Sequence, residues 1–226
     1  MNFLSLVQRA ASECGAANVP QSVLGQTGEA LRFVNWVNEA WNDIQSSHQD
    51  WLWLRSSTSF ALTQGQAIYT PVECGISSGN FGDWDRETFR YYTTASGLPT
   101  EMFVGYMDYD KWRDIYQFGS QRDVESQPIH ATITPDKSLG MGPSPAAGYT
   151  FSADYYLAPS YMAANADIPL LPTQFHLLIV YGAMMSYAAF ESAQEVYQRG
   201  EKKYKEVMQK LIVDQLPELM VGDALT

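Results

Sequence analysis

Residues 167–190 read DIPLLPTQFHLLIVYGAMMSYAAF, and this stretch decides how the chain is organised. Pro169 and Pro172 cannot lie inside a helix, and each favours an extended conformation in the residue before it. Thr173 is then a candidate N-cap for a helix over residues 174–190. Because this helix is apolar on all sides, we expect protein to cover it on all sides.

A membrane span is the main alternative for this stretch, because residues 170–190 carry no formal charge. Several residues argue against it, namely Pro172, Gln174, His176, Gly182 and Ser186. The uninterrupted apolar core is only about 15 residues, close to the length of a buried helix rather than a span. The sequence therefore predicts a core helix and no membrane association.

Three further helices follow from apolar periodicity and from capping residues. The first runs from Phe3 and stops at Gly15, and the second starts after Thr27 and fades over residues 46–50. After the apolar helix, Ser192-Ala-Gln-Glu195 has the spacing of a capping box, which predicts a last helix and an αα-hairpin.

The middle of the chain has the pattern of short strands. STSFALTQGQAIYTP, from residue 57 to 71, alternates in polarity and turns at Gln64-Gly65, which predicts a β-hairpin. Residues 72–87 are rich in Gly, Ser and Asn and predict a loop. The later strand candidates are FRYYTT, TEMFVGY, PIHATIT, KSLGMG and YTFSADYYLAP, with one helix in DYDKWRDIYQFG.

These patterns predict an α+β fold. Its N-terminal and C-terminal helix pairs form a four-helix bundle, with an antiparallel β-rich domain inserted between them. The helical domain comprises residues 1–50 and 172–226, including a C-terminal tail, and the insert comprises residues 51–171.

The charge of the chain argues against nucleic-acid recognition. It has 25 acidic and 14 basic side chains, a formal net charge of −11, and no cluster of Lys and Arg. Its two cysteines, Cys14 and Cys74, indicate neither a zinc site nor a disulfide framework. The first residues lack a basic region before their apolar run, so no signal peptide is expected.

Motifs that resemble catalytic sites lack the context that catalysis needs. GISSG, residues 75–79, matches G-x-S-x-G, but loops are predicted on both sides of Ser77, whereas a nucleophile elbow needs a strand and a helix. His48, His130 and His176 form no metal-binding spacing.

An acidic run at Asp83, Asp85 and Glu87 starts like a calcium loop but has Thr88 where glycine is required. A casual surface ion stays open there. We predict no enzyme activity, no bound metal and no cofactor.

The six tryptophans have two interpretations, a sugar-binding platform or contacts in cores and subunit interfaces. The second is favoured. The candidate residues for a subunit interface are Trp36, Trp41, His176 and Tyr181.

The order of several segments resembles the head-to-tail adaptor, or neck, proteins of tailed bacteriophages. The segments are FLSLVQRAASECG, FVNWVNEAWNDIQSSHQDWLWLR, GQAIYTP, YYLAPSYMAANADIPLLPTQFHLLIVYGAMMSYAAFESAQEVYQRGEKKY and DQLP. The resemblance implies a structural protein without enzyme activity. It implies a ring of about twelve copies, docked to the portal protein on one side and to tail or nozzle proteins on the other. The expected location is the head–tail interface of the virion, after synthesis in the host cytoplasm.

The end of the chain is apolar but is broken by Pro217. Its apolar residues are Leu216, Leu219, Met220, Val221 and Leu225. Such a segment either frays or orders on a partner, and the resemblance implies docking to the portal.

Two functions of other classes compete with an adaptor. One is a tail-associated carbohydrate-binding or cell-wall-degrading protein, and the other is a monomeric scaffold or chaperone that leaves the particle.

Overall fold

The computed structural model describes residues 1–216. Within that range the helices are α1 (Phe3–Cys14), α2 (Gly28–Ser46), α3 (Tyr109–Tyr116), α4 (Leu177–Glu191) and α5 (Gln194–Gln215). The strands are β1 (Arg55–Ala61), β2 (Ile68–Tyr69), β3 (Phe81–Trp84), β4 (Arg90–Thr93), β5 (Met102–Phe103), β6 (Gly105–Tyr106), β7 (Glu125–Ser126), β8 (His130–Ile133), β9 (Leu139–Gly142), β10 (Ser144–Pro145) and β11 (Tyr149–Leu157). This mixture of helices and sheets confirms the α+β class.

The chain divides into two compact units. The helical unit comprises Met1–Leu54 and the chain from Pro159 onward, and the β unit comprises Arg55–Ala158. The expected boundaries after residues 50 and 171 differ from these. In particular, the structure places residues 159–171 with the helices and not with the strands.

Two amide side chains on α2 explain why this segment follows the helices. Asn38 donates from Nδ2 to the Met162 carbonyl at 2.9 Å and accepts from the Met162 N–H at 3.0 Å. Gln45 donates from Nε2 to the Ser160 carbonyl at 2.9 Å and accepts from the Ser160 N–H at 3.1 Å. Residues seven apart share one face of a helix, so both amides point at the same segment. Each amide donates to and accepts from one backbone residue of that segment, as a neighbouring β-strand does. We call these two residues the amide clip.

Helix α4 lies at the centre of the helical unit and contacts α1, α2 and α5. A Cβ atom added at Gly182 would lie 2.7 Å from the Ala40 Cβ, so α2 and α4 approach as closely as a glycine permits. From Phe175 to Ala188 no residue is exposed, which agrees with the expectation that protein covers this helix. The exposed residues of α4 lie in its last turn.

In residues 1–216 we find no helix with both the length and the apolar character that crossing a membrane requires.

The helix ends differ in part from the predictions. Gly15 does end α1, with φ of 72°, as expected. Thr173 is not the N-cap of α4, because Thr173–Phe175 forms a short 3-10 turn and the α-helix starts at Leu177. The capping box at Ser192 is also wrong. Ser192 takes the left-handed conformation, with φ of 55°, and ends α4 where the chain reverses into α5.

The β unit contains two sheets and one isolated strand pair. One sheet has the strand order β1-β11-β4-β5, with β3 also pairing with β11, and the other has the order β2-β9-β8-β6. Strands β7 and β10 pair with each other. The buried core of the unit comprises Leu62, Tyr69, Cys74, Ile76, Trp84, Phe89, Tyr91, Val104, Ala131, Leu139, Met141, Phe151, Ala153 and Tyr155.

The predicted hairpin over residues 57–71 is wrong. The turn forms, since Gly65 has φ of 75° and the Gln66 N–H bonds the Thr63 carbonyl at 3.1 Å. However, β1 pairs along its whole length with β11, whereas β2 pairs with β9 in the other sheet. Local turn chemistry therefore does not choose the partner strand.

Two further expectations for the insert need correction. The domain is not purely antiparallel, because the β6–β8 and β7–β10 pairs are parallel. The predicted loop over residues 72–87 contains β3, whose Trp84 is buried and donates from Nε1 to the Lys137 carbonyl at 2.9 Å.

Candidate assembly surfaces

The residues considered for chemistry are not brought into a site. Ser77 is exposed in the turns between β2 and β3, and its carbonyl accepts the Asn80 N–H at 3.1 Å. His130 accepts or donates a hydrogen bond with the Tyr116 hydroxyl at 2.7 Å. In the part of the chain that the structure describes, no group of three or more His, Cys, Asp or Glu could hold a metal ion.

His176 lies inside the helical unit, with only 2% of its surface exposed. Its Nε2–H donates to the Leu171 carbonyl at 2.9 Å, and its Nδ1 accepts from the Met1 amino group at 2.7 Å. Burial lowers the pKa of His176, because an imidazolium loses its hydration there, so the neutral ring is favoured. Its side chain is therefore not available to a neighbouring copy, which corrects its assignment to a subunit interface.

Trp41 is likewise covered by its own chain. It is 1% exposed, and its ring lies 5.3 Å from that of Trp53. The Trp51 indole N–H beside this pair donates to the Ile44 carbonyl at 3.0 Å. These rings form the core at the end of α2, so the assignment of Trp41 to a subunit interface is corrected in the same way.

Trp36 and Tyr181 remain partly accessible. The Trp36 ring lies 6.0 Å from Tyr187 and 5.8 Å from Phe190, both on α4. The Arg32 guanidinium stacks 4.1 Å from the centre of the Phe190 ring, which is itself 52% exposed. Trp36, Tyr187, Phe190 and Arg32 thus form an aromatic patch on α2 and α4.

The comparison with protein families decides what these surfaces belong to. Residues 1–222 of the chain match the model of the family described as SU10 adaptor protein. The chain belongs to this adaptor family. No curated protein matches it. The family consists of structural phage proteins, so the resemblance to head–tail adaptors is confirmed and the adaptor is a virion component.

A groove of the adaptor runs along α5 near its C-terminal end and has a volume of about 860 Å³. It is lined by Gln174, Phe175, Glu206, Val207, Gln209, Lys210, Val213 and Asp214. Val213 is 84% exposed at this groove. Leu216 is half-buried at the end of α5, whereas Leu219, Met220, Val221 and Leu225 lie outside the described residues.

A second apolar surface of the adaptor was missed by sequence reasoning. Tyr161, Ile168 and Leu170 are exposed by 66%, 67% and 53%, and the segment carrying them is held by the amide clip. A pocket of about 200 Å³ beside them also contacts Trp41. Contiguous exposed apolar side chains of this kind mark interaction sites. The sequence signal for this surface was DIPLL, in which Ile168 and Leu170 flank Pro169 and therefore lie outside any helix.

Proposed function

We propose that the adaptor forms a ring of about twelve copies that joins the portal vertex of the capsid to the tail at the head–tail interface. The match to the adaptor family over nearly the whole chain carries this proposal. The four packed helices act as a four-helix bundle that forms the body of each copy, and the inserted β unit supplies further contacts. No catalysis is part of this function.

Contacts between copies use accessible apolar surface on the helical unit. Trp36 and Tyr181 remain the candidate interface residues, because both are half-buried and retain surface for a partner. The aromatic patch around Trp36 has the composition of an interface hot spot, with Trp, Tyr and Arg together. The exposed Tyr161, Ile168 and Leu170 supply a second patch.

The end of the chain docks to the portal protein in this proposal. Its candidate residues are Leu216, Leu219, Met220, Val221 and Leu225. The groove along α5 extends to Val213 and Asp214 near the end of that helix, so a portal element seated there contacts Val213. Weak contacts of this kind gain strength in a ring, because all copies bind one portal at once.

The ring surrounds the path of the DNA and lets it pass. Each copy carries a formal net charge of −11, so a closed ring repels phosphate at distances within a Debye length of about 8 Å at physiological salt. Repulsion at short range prevents the DNA from adhering to the channel during packaging or ejection. Tail or nozzle proteins bind the side of the ring opposite the portal.

The test is native mass spectrometry of the full-length adaptor with and without purified portal rings. We expect portal rings that carry about one adaptor for each portal subunit, whereas the free adaptor need not form rings. A chain that ends at Asp214 folds normally but docks poorly, because it lacks the portal-docking residues. If the full-length chain forms no multi-copy complex with the portal, the proposed function is wrong.

A further inference from the structure

Strand β1 is an open edge of the five-stranded sheet, with β11 as its only strand neighbour among the described residues. Just after β1, the Leu62 N–H donates to the Tyr149 carbonyl at 2.9 Å, so these two residues form a hydrogen-bonded pair. Hydrogen-bonded and non-bonded pairs alternate along an antiparallel ladder. In the observed register, the residues that direct their backbone N–H and C=O groups away from β11 are therefore Arg55, Ser57, Ser59 and Ala61.

These outward groups are available to another strand. Within residues 1–216, the backbone groups of Ser57, Ser59 and Ala61 that face outward have no hydrogen-bond partner. All four outward residues have exposed side chains. Between Arg55 and the end of the strand there is no charge and no proline, which are two of the features that protect an edge against strand addition.

The opposite edge of the same sheet is β5. The Val104 N–H donates to the Phe89 carbonyl at 2.9 Å, so in the β4–β5 register Phe103 directs both of its backbone groups outward. The Glu101 carbonyl points the same way, whereas the Glu101 N–H is used in a bond to the Leu98 carbonyl at 2.9 Å. Phe103 is 73% exposed, so this short edge also offers an apolar side chain.

The strand directions make the two edges compatible with each other. Each neighbouring pair along β1-β11-β4-β5 is antiparallel, so β1 and β5 run in opposite directions. A second copy placed beside the first in the same orientation therefore brings its β5 antiparallel to β1. Such a contact uses two different surfaces of each copy and continues from copy to copy, as a ring requires. A pair of β1 strands would instead close a dimer.

The side chains at the two edges are also complementary. Within one copy, the Arg90 guanidinium lies 3.6 Å from the Glu101 carboxylate and 4.9 Å from the centre of the Phe103 ring. The ladder places Arg55 on the same face of the sheet as Arg90, and Arg55 already binds Asp154 at 2.8 Å. With Arg55 opposite Phe103 of the next copy, a second guanidinium reaches Phe103 and Glu101 from the other side.

We propose that β1 of one copy pairs antiparallel with β5 of the next copy, with Arg55 opposite Phe103 and Ser57 opposite Glu101. The five-stranded sheets then join edge to edge around the ring. This inference rests on the proposed function, because it names the contact that links neighbours in that ring.

The first test replaces Ser57 by proline in the full-length chain. Ser57→Pro removes an outward N–H that has no partner within the described chain, and edge strands tolerate proline in this position. We expect the affinity between neighbouring copies on the portal ring to fall by up to about tenfold, the loss of one net hydrogen bond, so fewer copies bind when the adaptor is limiting. Ser57→Ala keeps the N–H and is the matched control, which assembles like the parent. Equal melting curves for the two variants show that the fold is retained.

The second test is cross-linking with Ser56→Cys and Met102→Cys in one chain. In the proposed register these residues face each other in a non-hydrogen-bonded pair across the copies, where side chains are closest. Inside one copy they lie three strand spacings apart, roughly 14 Å, so they cannot form a disulfide there. Oxidation on portal rings should give a ladder of covalent multimers, and either single cysteine variant should give none.

The outcomes separate the two proposals. If the parent assembles on portal rings, Ser57→Pro assembles equally well and the double cysteine variant forms no ladder, then edge pairing is wrong while the ring stands. If the parent itself never assembles on the portal, the proposed function fails first, and the edge contact fails with it.

Discussion

Replacing Gln45 by methionine tests the amide clip, and with it the division of the chain into units. Gln45 is 2% exposed, and its amide both donates to the Ser160 carbonyl and accepts the Ser160 N–H, at 2.9 and 3.1 Å. Methionine has a similar length and helix propensity, so Gln45→Met removes these bonds with little change in volume. Each lost bond costs roughly 0.5–1.5 kcal/mol, so we expect a loss of about 1–3 kcal/mol in the free energy of unfolding.

Urea unfolding followed by tryptophan fluorescence measures this loss, since Trp41, Trp51 and Trp53 all lie in the helical unit. Gln209→Met is the matched control, because Gln209 is exposed on α5 and the same substitution removes no buried bond. The control should change the free energy of unfolding by less than about 0.5 kcal/mol, as surface substitutions usually do. A Gln45→Met variant as stable as the control would refute the view that the amide clip holds residues 159–171 to the helices.

Four further outcomes are expected. Gly182→Val should lower the free energy of unfolding, measured by calorimetry, by about 1–3 kcal/mol, because a Cβ there would lie 2.7 Å from the Ala40 Cβ. Ala189→Val, in the exposed last turn of the same helix, is the control and should cost much less. The free energy of unfolding should fall as the pH drops below about 6.5, the ordinary pKa of histidine. Burial lowers the pKa of His176 in the folded state, so the unfolded state binds more protons below that pH. In His176→Gln, the urea concentration at the unfolding midpoint should change less between pH 7 and pH 5. Burial raises the pKa of the Cys74 thiol to about 12, so it should resist alkylation at pH 8 in the native protein and react at once in urea. Finally, the purified protein should show no salt-dependent retention on duplex DNA. Binding whose affinity falls with salt concentration as steeply as several phosphate contacts require would contradict a channel that repels DNA.

The candidate interface residues show how far sequence patterns reach. Trp36 and Trp41 both lie on the predicted second helix and look equivalent in the sequence, but one keeps contact with solvent and the other is buried against Trp53. The difference arises because residues 51–54 fold back against α2 and cover Trp41, a contact that no local sequence pattern predicts. His176 precedes the first residue of α4, and one of its two hydrogen bonds comes from Met1, at the other end of the chain, which no local pattern specifies.

The sequence by itself determined the α+β class, the helices α1 and α2 to within a few residues, the buried character of α4 and the family of the protein. These depend on local periodicity, on helix-stopping residues such as Gly15, and on the order of segments along the chain. Only the tertiary structure decided that β1 pairs with β11 rather than with β2, that residues 159–171 join the helices, and that Ser192 ends one helix instead of starting the next. The physical reason is common to all three. Backbone and amide hydrogen bonds look alike wherever they form, so the partner is chosen by the packing of distant segments, such as Gln45 with Ser160.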